Sequence, residues 1–219
     1  MTIYIPYKHN GEDALKYALR GIEKNFPHDV VLITDTPPEW YKGNILYKQD
    51  VSSRKQLNLI SKLFEIKDEQ FIYWNDDHFL IKPITEIKNW YEGTISQALK
   101  KAQGRYYQAV GNTYEHFGDV KYYDIHTPCI LTREQVHRVF RLEWGDKEFV
   151  IKSAALCQEE GEEMKDLKIN RPVSMTAIEH LIKDRTFFST GPNGWKTPMI
   201  NLLNIMFPHK SKWEKSLTG

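Results

Sequence analysis

Residues 71–81 read FIYWNDDHFLI, and Asp76 and Asp77 interrupt Phe71, Ile72, Tyr73, Trp74, Phe79, Leu80 and Ile81, a run of the kind that fills a buried strand. A lone carboxylate in apolar surroundings is so costly that it acquires a proton, a cation or a metal. Hard oxygen ligands at a strand end suit Mg²⁺ or Mn²⁺, and Mg²⁺ is commonly held by one or two carboxylates with substrate phosphates completing the shell. A diphosphate leaving group would supply those missing oxygens. The competing reading is an Asx turn, in which the Asp side chains bond nearby main-chain amides and simply end the strand.

The elements that must position this tip follow from periodicity. Residues 2–6 read as a short strand ending at Pro6, 12–25 as a helix with Leu15, Leu19 and Ile22 on one face, and 30–34 (VVLIT) as a strand covered on both sides. A short strand is expected at 45–47, a helix at 54–66 on Leu57, Ile60, Leu63 and Phe64, and then the FIYW strand. Strand, helix, strand, strand, helix, strand is a βαβ rhythm, which predicts an α/β fold: a mostly parallel sheet flanked by helices. In such sheets ligands collect at the carboxyl ends of the strands, where Asn75, Asp76 and Asp77 fall. The second half predicts helices over 94–117 (broken near Gly104), 132–141, 147–157, 175–183 and 196–206, with extended segments at 123–131 and 186–191. No repeat or linker divides the chain, so one domain over 1–219 is expected, with 1–90 binding nucleotide and 91–219 shaping the acceptor side.

Thirty basic and 29 acidic residues leave a net charge of +1, so no global field points to nucleic acid, a membrane surface or a polyacidic partner. Cys129 and Cys157 have neither metal-site spacing nor the density of a disulfide scaffold, which suggests reduced thiols. The opening MTIYIPYKHNGED carries no apolar signal core, and no stretch approaches the ~18 apolar residues of a membrane span. A cytoplasmic location is the expectation.

Beyond these properties, the apolar strand closing on NDD and followed by a second apolar triplet resembles the DxD signature of GT-A fold glycosyltransferases, with Asn75 at the first Asp position and Asp77 at the last. ALKYALRGIEKNFP (14–27), VVLITDTPPEW (30–40) and FIYWNDDHFL (71–80) are similar to the central region of the Stealth family, which includes bacterial capsule sugar-phosphate transferases, and YDIHTPCIL (123–131) is similar to its next region. NDDHFL, DIHTP, GEEMKD (161–166), FFSTG (187–191) and FPHKSKWE (207–214) together resemble short phage and bacterial proteins described as glycosyltransferases. The chain departs from Stealth proteins after its first strand, where YIPYKHNG stands in place of their acidic loop.

The resemblance implies a GT-A-like, Rossmann-like fold and assigns roles. Asp77 and then Asp76 are the expected metal ligands, with Asn75 contacting metal-bound water or ribose. His126, which from pattern alone reads as a core histidine, becomes a functional residue that completes the metal shell or positions the acceptor hydroxyl. The cluster EEGEEMKD (159–166) has five carboxylates in eight residues and by composition reads as a solvated face. An inverting displacement needs a general base, however, and Glu163, then Glu162 and Asp166, are the candidates, with Gly161 allowing a sharp turn before them. Arg20 either binds phosphate or carboxylate through its fork or pairs on the helix surface with Glu23 or Glu12. Arg54, Lys55, Asn58 and Lys62 form a row that could receive the diphosphate and base, the alternative being a solvated helix face. Asp35 could contact uridine or ribose, or serve turn chemistry with Thr36 and Pro37. Lys210, with Ser211 and Lys212, reads as a lid over the donor phosphates or as a basic tail. Tyr106, Tyr107, Tyr114, Trp144 and Trp195 are candidate sugar platforms or core. His78 is expected on the opposite face from Asp77 by strand alternation.

The resulting expectation is a metal-dependent glycosyltransferase using Mn²⁺ or Mg²⁺ and a nucleotide-sugar, UDP-sugar foremost, with a hydroxyl acceptor on a glycan or on modified DNA. The rivals are a Stealth-like sugar-1-phosphate transferase and a non-catalytic nucleotide- or carbohydrate-binding module.

Overall fold

The computed structural model describes residues 1–8 and 13–215. Its strands are β1 (Ile3–Pro6), β2 (Val30–Ile33), β3 (Asn44–Leu46), β4 (Gln70–Tyr73), β5 (His78–Leu80), β6 (Trp90–Tyr91), β7 (Cys129–Thr132), β8 (Glu162–Glu163), β9 (Lys168–Ile169) and β10 (Phe187–Thr190). Its helices are α1 (Ala14–Asn25), α2 (Lys55–Phe64), α3 (Ile95–Leu99), α4 (Gly104–Phe117), α5 (Arg133–Phe140), α6 (Ile151–Ala155), α7 (Met175–Ile182) and α8 (Thr197–Met206). The expected architecture is present: a mixed α/β chain around a mostly parallel sheet. The central sheet has the order β3-β2-β1-β4-β7, parallel except that β7 runs antiparallel to β4, with Tyr73 opposite Cys129.

Both faces of this sheet are covered, which is why its strands read as continuous apolar runs. On one face Ile3, Ile5, Ile72 and Trp74 pack with Leu15, Leu19 and Ile22 of α1. On the other, Tyr4, Phe71 and Tyr73 meet Ile60 and Leu63 of α2 and Val136 and Val139 of α5. The outer side of α1 is buried too, because Ala14, Tyr17 and Ala18 pack with Phe79, Phe188 and Ile169 of a second sheet, ordered β5-β10-β9, and with Met199 and Leu203 of α8. Gly21 permits that closeness: a Cβ there would sit 2.8 Å from the main-chain oxygen of Leu80.

Several expectations change in detail. The helix expected over 147–157 shrinks to α6, and residues 123–128 do not join a strand. That irregular run is held by side chains instead: Ser153 Oγ accepts from the Tyr123 N–H at 2.9 Å, and Lys152 Nζ donates to the main-chain oxygens of Ile125 and Thr127. Glu162 and Glu163 lie in β8, paired in parallel with Trp90 and Tyr91, rather than in a turn after Gly161. The break at Gly104 is as expected, with φ +57° separating α3 from α4.

Candidate active site

The strand order reverses at β1. The chain leaves it through α1 to β2 on one side and returns through α2 to β4 on the other, so the crevice between the carboxyl ends of β1 and β4 is the switch point where open sheets bind ligands. A cavity of about 610 Å³ opens there. Pro6 at the end of β1, Tyr7 and Lys8 just after it, and Asn75, Asp76 and Asp77 after β4 form its floor, with Lys55, Asn58 and Lys62 of α2 on one wall. The opposite wall carries Asp124, Ile125 and His126, with Lys152 of α6, Lys168 of β9 and Asn170.

The acidic tip is held from behind. The Tyr73 hydroxyl donates to Asn75 Oδ1 at 2.5 Å, and Asn75 Nδ2 lies 3.2 Å from His78 Nε2. An amide nitrogen can only donate, so His78 Nε2 accepts, and both ends of the Asn75 amide are engaged within the protein. Residues 76–77 form a turn, which breaks the alternation expected for His78: its Nε2 comes within 3.7 Å of Asp77 Oδ1 rather than facing away. His78 is fully buried, and burial first, then the charge of Lys152, holds its pKa well below the ordinary value. Burial, with the Asp76 charge next, likewise raises the pKa of the Tyr7 phenol.

Next to the tip, with its ring centroid 5.9 Å from that of His78, His126 forms a tight pair with Asp166. His126 Nδ1 lies 2.6 Å from Asp166 Oδ2, and the main-chain N–H of His126 donates to Asp166 Oδ1 at 3.0 Å. Burial pushes the Asp166 carboxyl up, but the hydrogen bonds it accepts from the His126 ring and main chain outweigh this and leave the pKa below the ordinary range. The other ring nitrogen, Nε2, is 3.1 Å from Lys168 Nζ, which in turn is 3.9 Å from Asp77 Oδ2. A carboxylate accepts and an ammonium donates, so Nδ1 carries the proton and Nε2 presents its lone pair: the arrangement suits a neutral imidazole.

The α2 row divides by helical spacing. Lys55, Asn58 and Lys62 face the cavity, whereas Arg54 turns away and donates to the main-chain oxygens of Trp144 (3.1 Å) and Lys147 (3.0 Å). Asn58 is occupied with structure, since its Oδ1 accepts from the Val51 and Ser52 N–H groups. Lys62 donates to the Tyr7 oxygen at 3.0 Å and pairs with Asp50 at 2.8 Å.

Other candidates lie elsewhere. Arg20 does use its fork on a carboxylate, but the partner is Glu214, at 2.8 and 2.7 Å, with a third bond to the Phe207 oxygen at 3.1 Å. Glu23, one proposed partner, accepts instead from the Lys212 N–H, and Glu12, the other, lies outside the described residues. Asp35 follows its turn reading, accepting from the Thr36 hydroxyl at 3.2 Å. Glu162 and Glu163 are exposed and do not line the cavity; Glu162 pairs with Lys88. Lys210 is exposed and away from the cavity lining, while Ser211 is buried against Glu214. Of the aromatic candidates, Tyr106 lines the cavity and donates to Asp124 Oδ2 at 2.5 Å, Tyr107 and Tyr114 are exposed, and Trp144 and Trp195 pack on Phe149 and Phe79.

Lys152, Lys168 and Asp124 were not among the sequence candidates. Asp124 stands two residues before His126, and Lys168 two after Asp166, so the i, i+2 spacing of a same-face pair was available as a signal. For a metal, the fit is partial. Among the described residues no three His, Cys, Asp or Glu side chains converge in a metal-binding arrangement. Asp76 and Asp77 offer adjacent hard oxygens, which suit Mg²⁺ or Mn²⁺ when substrate phosphates provide the other ligands. His126 could join such a shell only by exchanging Lys168 for the ion.

No family model matches the chain. No curated protein matches it. Among solved structures it is similar to the galactosyltransferase LgtC in complex with donor and acceptor sugar analogs, with a TM-score of 0.53 and 11% identity over 97% of this chain and 98% of that one. It also matches the glycosyltransferase GlyE of Streptococcus pneumoniae TIGR4, at a TM-score of 0.43 and 8% identity over 96% of this chain and 65% of that one. The likeness to LgtC gives the fold, a GT-A glycosyltransferase fold. Among the described residues no helix is long and apolar enough to cross a membrane.

Proposed function

We propose that this chain transfers a sugar from a nucleotide-sugar, UDP-sugar foremost, to an acceptor hydroxyl. One observation carries the reading: on a glycosyltransferase fold, the switch-point cavity brings the Asp76–Asp77 tip beside His126, with Lys168 between them and Asp166 behind the imidazole. In this reading the diphosphate lies over the tip, near Lys168 and the α2 face, and the acceptor hydroxyl approaches His126 Nε2. Asp166 orients the imidazole and stabilises its charged form after proton transfer, a role geometry favours over that of direct base. A divalent cation held by Asp77 and Asp76 with diphosphate oxygens would offset charge building on the leaving group. His78, Asn75 and Tyr73 brace the tip, and a fixed tip places donor against acceptor.

The test is a thermal-shift screen of UDP and UDP-sugars with Mn²⁺ and with EDTA. Ligand at about 100 times Kd should raise the unfolding midpoint by roughly 5–10 °C. Asp77→Asn should lose the Mn²⁺-dependent part of that shift while keeping the wild-type far-UV spectrum. No stabilisation by any UDP compound, with or without Mn²⁺, would abandon the reading. Turnover releasing UDP supports glycosyl transfer, and release of UMP would redirect it to sugar-phosphate transfer.

A further inference from the structure

Lys168 has a geometry that the reading above does not yet use, and its role rests on that reading. The neighbouring residue Ile169 goes into the core, while Lys168 reaches the cavity with its side chain 34% exposed. Of the other lysines lining the cavity, Lys152 is bound to the Ile125 and Thr127 oxygens, Lys62 to the Tyr7 oxygen and the Asp50 carboxylate, and Lys8 to Asp50, while Lys55 stands at the start of α2. Lys168 is held by side chains, His126 Nε2 at 3.1 Å and Asp77 Oδ2 at the long ion-pair distance of 3.9 Å. An ammonium has protons and no lone pair, so on His126 it donates and thereby occupies the lone pair that would receive a proton. Nδ1 offers no alternative, being committed to Asp166.

We propose that Lys168 is a substrate-binding residue that gates the base: donor diphosphate draws the ammonium off His126 and so frees Nε2 for the acceptor hydroxyl. Anionic phosphate oxygens are stronger acceptors for an ammonium than a neutral imidazole, which drives the exchange. In the transfer that follows, the acceptor oxygen bonds to the anomeric carbon and its proton passes to His126 Nε2. The bond from that carbon to the diphosphate oxygen breaks, and its electron pair leaves on the nucleoside diphosphate beside Lys168. Before the donor is seated, neither water nor acceptor meets an available base.

UDP binding measured by calorimetry, with Mn²⁺ and with EDTA, on wild type, Lys168→Arg and Lys168→Met, tests this together with ¹⁵N spectra of the histidine rings, assigned with His126→Gln. Lys168→Met should weaken UDP binding roughly 10- to 100-fold, the value of a charge-assisted hydrogen bond, and Lys168→Arg should retain most of it. The His126 Nε2 resonance should move when UDP is added to wild type, and in the same direction in Lys168→Met without UDP. Wild-type affinity in Lys168→Met, or a His126 resonance indifferent to both UDP and the substitution, overturns the gate and leaves the donor reading standing. Wild type that binds no UDP under either condition overturns the donor reading and the gate with it.

Discussion

At the residue scale, the proposed chemistry turns on which nitrogen of His126 carries the proton, and Asp166 favours Nδ1 by accepting from it and from the His126 main chain at once. Asp166→Asn tests this with little change of shape. Its amide can still accept from the main chain, but it would donate to Nδ1 and leave the proton on Nε2, which removes the lone pair facing the cavity. Turnover should fall by about 10² or more, with UDP affinity within about threefold of wild type. A matching loss of UDP affinity would show that Asp166 acts on binding instead. That Asp76 and Asp77 stand at the cavity was legible in the strand-end pattern, whereas His126, also in its lining, was singled out only by the resemblance. Arg20 was half legible: its fork does grip a carboxylate, but Glu214 lies 194 positions away, beyond the reach of a helical pattern. Lys152 was illegible for a different reason, since nothing near it in sequence tells that it will staple the His126 segment.

At the element scale, α1 is the packing centre, apolar on the central-sheet side and built from Ala14, Tyr17, Ala18 and Gly21 on the other. Gly21→Val should therefore strike the Leu80 oxygen and cost about 2–3 kcal/mol of overpacking, which lowers the unfolding midpoint by roughly 4–10 °C. An unchanged midpoint would mean that α1 and β5 can separate without loss. The long elements were readable because α1, α2 and α5 keep one apolar face and because β1, β2 and β4 are apolar throughout. β5, β6, β8 and β9 were not, since two or three residues cannot display a period. The run 123–128 looked extended because it leads into the apolar Cys129–Leu131, yet its main-chain bonds go to side chains of α6 and to Asp166 rather than to a neighbouring strand.

At the scale of the molecule, the Arg20–Glu214 pair ties the end of the described chain to α1, and it is well shielded, with 13% and 3% of the two side chains exposed. Burial pushes the Glu214 carboxyl up, but its bonds to Arg20 and Ser211 prevail and leave its pKa lowered. A carboxyl lowered in the folded state contributes stability above its unfolded value, near 4.3, and that contribution fades as pH falls through the folded value. Wild type should accordingly lose more urea stability between about pH 5 and pH 3 than Glu214→Gln does, and parallel curves would refute the assignment. The sandwiching of α1 between two sheets has one last consequence. Lys168 at the start of β9 and Tyr7 just after β1 line the same cavity, and the sheets that carry them pack on the same helix, so among the described residues these two parts of the lining are braced together. Under the proposed function, choice among donors rests on lining side chains such as Lys168, Tyr7 and Tyr106, and their exchange is the route to an altered choice.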